Sequence, residues 1–125
     1  QSDHESLTPA MEDYLRGIAT LATCQGAVSV QALAVHLSVA TPSVTQMMKR
    51  LAVAGLVIHH PYRAVTLTCI GQAVAQELFD RYSIVETYLV TVLGYDAKAV
   101  RTDADRLEHA CSAQLRARMA ARLLD

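Results

Sequence analysis

Two short apolar stripes of helical spacing lie almost end to end between Ser29 and Leu51, and they constrain this chain more than any other feature. Ser29 can cap a helix whose buried side is Val30, Leu33, Ala34 and Leu37. Ser38-Val39-Ala40 then leaves room only for a tight turn. Thr41-Pro42-Ser43 gives a cap-then-proline start to the next helix, with Val44, Met47, Met48 and Leu51 facing inward and an end near Ala54-Gly55. Two short helices joined by so brief a turn must cross, which is the helix-turn-helix arrangement. The polar side of the second carries Ser43, Thr45, Gln46, Lys49 and Arg50, side chains able to hydrogen-bond to DNA.

The flanking segments extend the pattern. Thr8-Pro9 opens an earlier helix with Met11, Leu15, Ile18, Leu21 and Ala22 at helical spacing, and Gly26 closes it. After Gly55, Leu56-Val57-Ile58-His59 and Ala64-Val65-Thr66-Leu67-Thr68 are β-prone and are split by His60-Pro61-Tyr62-Arg63. This predicts a hairpin, or wing, with Arg63 at its tip beside a phosphate backbone; a plain capping hairpin has the same pattern. From about Cys69 the sequence turns helical again up to Leu93, and two or three short helices follow from about Ala97 to Leu124. The predicted fold is mainly α: a winged-helix DNA-binding domain over residues 1–72 and a helical dimerisation domain over residues 73–125, the latter too small for a core of its own.

Charge follows the same division. Residues 14–76 hold four of the eleven basic residues and none of the twelve acidic ones, so that segment can approach a polyanion without repulsion. The stretch Ile84 to Leu93 is interrupted by Glu86 and threonines, too short an apolar run for a membrane span. Cys24, Cys69 and Cys111 are odd in number and widely spaced. That argues against a disulfide framework or a four-cysteine zinc site and for a reducing, cytoplasmic setting.

Asp105, Glu108 and His109 stand at i, i+3 and i+4, on one face if their segment is helical. Two carboxylates and an imidazole suit manganese or ferrous iron, and Glu86 and Asp13 are further candidate ligands. A solvated acidic helix face would show the same spacing. No nucleophile turn, phosphate loop or paired metal-binding histidines point to an enzyme.

The chain resembles the metal-dependent repressors of the diphtheria toxin repressor and manganese transport regulator family. The resemblance runs through Thr8-Pro9-Ala10-Met11-Glu12-Asp13-Tyr14-Leu15, Pro42 to Leu51, Gly55-Leu56-Val57, Pro61 to Thr68 and Leu107-Glu108-His109. It implies a homodimeric, metal-responsive repressor acting on palindromic operators of metal-uptake genes. Metal ligands would be Asp13, Asp105, Glu108 and His109, with Glu86 in addition, and Pro42 and Ser43 would touch base edges. Carboxylates at Asp13 and Asp105 favour Mn2+, with Fe2+ as the alternative. Arg16 stands where the manganese branch offers a carboxylate, and Tyr82 where a histidine is expected. A guanidinium there can neutralise part of the carboxylate cluster and stand in for a second cation. These two departures also leave open a metal-independent winged-helix regulator that senses another ligand.

Overall fold

The computed structural model describes residues 7–60 and 64–124, with the backbone alone at residues 23–25. Six helices and one two-stranded sheet follow in the order α1 (Pro9–Gln25), α2 (Val30–Leu37), α3 (Thr41–Val53), β1 (Val57–His59), β2 (Val65–Leu67), α4 (Cys69–Thr91), α5 (Val100–Ala110) and α6 (Ala113–Leu123). They divide into two compact units, Gln1–Gln76 and Glu77–Asp125. The division falls inside α4.

In the first unit the helix ends are set by short-range chemistry. The Thr8 hydroxyl accepts from the Met11 amide at 3.1 Å, Pro9 occupies the first turn where no amide is needed, and Gly26 ends α1 at φ 79°. The Ser29 hydroxyl likewise accepts from the Ala32 amide. The turn between α2 and α3 is made by Ser38 at φ 58°, a left-handed conformation rare outside glycine and asparagine, and the Val39 amide closes it onto the Ala34 carbonyl at 3.0 Å. The start of α3 differs from the expected cap at Thr41. Ala40 takes the N-cap with no side-chain bond, and the Ser43 amide reaches the Ala40 carbonyl at 3.0 Å. The turn ends early enough for the helix to begin one residue sooner, and Pro42 tolerates that because the first turn requires no amide from it.

The hairpin pairs Val57 with Leu67, Ile58 with Thr66 and His59 with Val65, antiparallel. On its other side β2 is bridged by Val28, whose amide and carbonyl both bond to Val65, at 3.1 and 2.7 Å. Beneath lie Leu15, Ile18, Val28, Leu33, Val44, Met48, Leu51, Leu56 and Val65, all essentially without solvent contact. Thr68 ties the base of the hairpin to α4: its hydroxyl donates to the Gly55 carbonyl at 2.7 Å and accepts from the Gly71 amide at 3.0 Å.

Contrary to the expectation from its length, the second unit has a small core of its own, made of Val85, Leu89, Val100, Ala104, Cys111 and Met119, against which Tyr82, Ile84, Tyr88, Tyr95 and Leu107 pack. Gly94, at φ 78°, turns the chain after α4, and the Tyr95 hydroxyl donates to Asp103 Oδ2 at 2.6 Å, clamping that turn to α5. Ser112 caps α6 through the Leu115 amide. Among the described residues no helix is long and apolar enough to cross a membrane.

Candidate metal centre and nucleic-acid interface

The exposed side of α3 is the polar side read from the sequence. Pro42, Ser43, Gln46, Lys49 and Arg50 are exposed, while Val44, Met47, Met48 and Leu51 are buried opposite them. Thr45 is half-buried, and its hydroxyl donates back to the Thr41 carbonyl at 3.3 Å, which occupies its donor within the helix. Arg50 leans toward α1, with Nη2 3.9 Å from the Met11 sulfur. Together with Lys49 and Val53 these two line an open groove of about 380 Å³. Arg63 lies outside the described residues, as do Pro61 and Tyr62.

On α1 the neighbours Glu12 and Asp13 have opposite environments. Glu12 is only 9% exposed, whereas Asp13 is open to solvent and its Oδ1 lies 2.6 Å from Arg16 Nη2. The pairing of Asp13 with Arg16 follows from their i, i+3 spacing. Glu12 was not singled out in the sequence. The available signal was its register: it falls at helical spacing with Leu15 and Ala19, beside the apolar stripe, where a carboxylate is unusual.

In the second unit α5 carries Asp105, Glu108 and His109 on one helix, as their spacing predicts, but at different depths. The Glu108 side chain is fully buried, while Asp105 is exposed. His109 Nδ1 stands 3.7 Å from Glu108 Oε1. Glu86, on α4, is half-buried, as is Tyr82, whose hydroxyl oxygen is covered. Asp105 and Glu86 do not join Glu108 and His109 in one group of ligand atoms within 4.8 Å. Cys111, which ends α5, is a small buried residue of the core. Burial pushes its thiol above the ordinary range, with Arg116 opposing and Glu108 adding to the rise. Arg116 Nη1 also donates to the Cys111 carbonyl at 2.6 Å.

A carboxylate with no solvent contact is costly to keep ionised unless positive charge or donors stand beside it. His109 stands beside Glu108, and a divalent cation held between them would supply such charge. Carboxylate oxygens with a single imidazole nitrogen are the donor set of hard to borderline divalent ions, so the residues present fit a metal of that class.

The chain matches two family descriptions in tandem: iron dependent repressor, N-terminal DNA binding domain, over residues 6–65, and iron dependent repressor, metal binding and dimerisation domain, over residues 68–125. It is 39% identical over 99 residues to the transcriptional regulator MntR of Escherichia coli O157:H7, covering 79% of this chain and 63% of that protein. It is 33% identical over 102 residues to the HTH-type transcriptional regulator MntR of Lysinibacillus sphaericus, covering 82% and 73%. Among solved structures it is similar to a manganese-dependent transcriptional repressor in complex with manganese, at TM-score 0.78 and 38% identity, over 90% of this chain and 52% of that one. The manganese regulator SloR superposes with TM-score 0.77 at 32% identity, over 94% and 54%. The chain thus spans less than two thirds of the Escherichia coli regulator and about half of those solved chains. Both of these MntR relatives are named as transcriptional regulators.

Proposed function

The chain belongs to the iron-dependent repressor family, which includes the MntR regulators, and on that premise we propose that it is a manganese-responsive transcriptional repressor. It would act in the cytoplasm as a homodimer on palindromic operators of metal-uptake genes. The observation that carries the metal part is the fully buried Glu108 carboxylate beside His109 on α5. The DNA part is supported by the exposed polar side of α3, in a unit that lacks acidic residues from Tyr14 to Gln76.

The proposed ligands are Asp13 from α1 with Glu86, Asp105, Glu108 and His109 from the second unit. Bound Mn2+, or Fe2+ as the alternative, would supply the positive charge that lets these carboxylates share one site. Pro42, Ser43, Thr45, Gln46, Lys49, Arg50 and Arg63 are the proposed DNA contacts. Lys49 and Arg50 meet phosphate, and Pro42 and Ser43, at the N-terminal end of α3, meet base edges. Two such helices read a palindrome only when they fit major grooves about 34 Å apart, so fixing the protein in that spacing raises affinity. Turning a minor conformer into the dominant one requires a preference on the order of 3 to 5 kcal/mol, within the reach of one well-held ion per subunit.

The test is anaerobic titration of chelator-stripped protein with Mn2+ and Fe2+ while binding to a palindromic operator library is followed by fluorescence anisotropy. The reading requires DNA binding that appears as metal fills the protein and that Asp13→Ala or His109→Ala abolishes. Tight operator binding in chelator, indifferent to those substitutions, overturns it.

A further inference from the structure

The side chain that meets Asp13 in this structure is already a cation. Arg16 Nη2 stands 2.6 Å from Asp13 Oδ1, the length of a strong charge-assisted contact. The two exposures differ: the Asp13 side chain is 51% exposed, the Arg16 side chain only 15%. The carboxylate is therefore open to an incoming ion, whereas the side chain that carries the guanidinium is largely covered. With only two residues between them on one helix, the guanidinium reaches Asp13 without the entropy loss that a free ion suffers on binding.

We propose that Arg16 is an intramolecular competitor for the metal ion at Asp13 and raises the manganese concentration at which the site fills. This rests on the reading that Asp13 is a ligand. An ion reaching Asp13 must displace the guanidinium from Oδ1 or share the carboxylate with it, and in both cases it meets a fixed positive charge nearby. A unit charge about 5 Å from a divalent ion, in water-like surroundings, is worth on the order of tenfold in affinity. Arg16 is thus a positioning residue that sets the threshold without itself being a ligand.

The experiment titrates Mn2+ into the metal-free full chain and reads the unbound ion by electron paramagnetic resonance, so no DNA is involved. Arg16→Gln should bind Mn2+ about tenfold more tightly than the wild type. Arg16→Met, which keeps the apolar stem, should do the same, and Arg16→Lys, which keeps the charge, should retain the wild-type affinity. In an Asp13→Asn background the gain from Arg16→Gln should shrink. Unchanged or weaker binding by both neutral variants overturns the proposal, as does an equal gain in the Asp13→Asn background. A wild type that takes up no Mn2+, or takes it up equally well after His109→Ala, overturns the metal reading and this proposal with it. Loss on His109→Ala with no response to Arg16 overturns the proposal alone.

Discussion

The carbonyl oxygen of Leu56 occupies the space into which any side chain on Gly71 would have to grow. The base of the hairpin and the first turn of α4 meet there backbone to backbone, and Thr68 bonds to both sides of the junction. Gly71→Ala should therefore destabilise the first unit by about 1–3 kcal/mol, because neither backbone can move without breaking those bonds. Gly17→Ala is the control: its Cβ would meet only side-chain atoms, the nearest Leu33 Cδ1 at 3.1 Å, and its net effect should stay within about 1 kcal/mol as helix propensity offsets the crowding. Denaturant unfolding of both variants measures the contrast, and equal losses would contradict this account.

Thr68→Ala removes one donor and one acceptor from the same junction. The loss should be about 0.5–2 kcal/mol, with Thr68→Ser close to the wild type because it keeps the hydroxyl. A serine variant as unstable as the alanine one would shift the importance to the methyl group.

Glu108→Gln separates metal binding from folding. A neutral amide is less costly to bury than a carboxylate, so the metal-free protein should melt at the same temperature or higher. Its Mn2+ affinity should fall by at least about tenfold, as expected when a group at a metal site is lost. Melting scans in chelator and in excess Mn2+ report both quantities, and a large loss of metal-free stability would mark Glu108 as structural.

Lys49→Ala should lower the magnitude of the salt slope of operator binding by about one, the signature of a lost phosphate contact, and weaken binding to all sequences alike. Anisotropy titrations between low and moderate salt measure the slope. An unchanged slope would remove Lys49 from the interface.

Thiol chemistry should divide by burial. Cys69 is exposed, whereas Cys111 is buried with its thiol pushed above the ordinary range. As pH rises, iodoacetamide should label Cys69 before Cys111 in the folded protein. The raised value also has a stability consequence: its contribution is complete below the thiol's unfolded pKa and is lost as pH rises through the folded one. Peptide mapping after labelling at several pH values checks the order, and early labelling of Cys111 would contradict it.

Much of this architecture is legible from local chemistry. Thr8-Pro9, Ser29 and the glycines at 26, 55 and 94 mark element ends without reference to the rest of the chain, and the exposed side of α3 follows from the register of Val44, Met47, Met48 and Leu51. What the sequence hides is non-local. The bridge from Val28 to Val65 joins residues with two helices between them, and nothing near Val28 announces it. The burial of Glu12 likewise depends on what covers α1. The Asp13 and Arg16 contact lies between these cases: the i, i+3 spacing allows it, but spacing alone does not fix how exposed each partner is.

The Val28 bridge also bears on how the protein behaves in crowded surroundings. A hairpin in isolation has two raw edges onto which a strand of another molecule can add. Here one edge of β2 is already engaged at its first residue, with both polar groups of Val28 turned onto Val65, and the remaining edge, β1, is three residues long. So short an edge is a poor template for runaway strand addition, so copies of the protein can gather closely with little risk of aggregating through their wings.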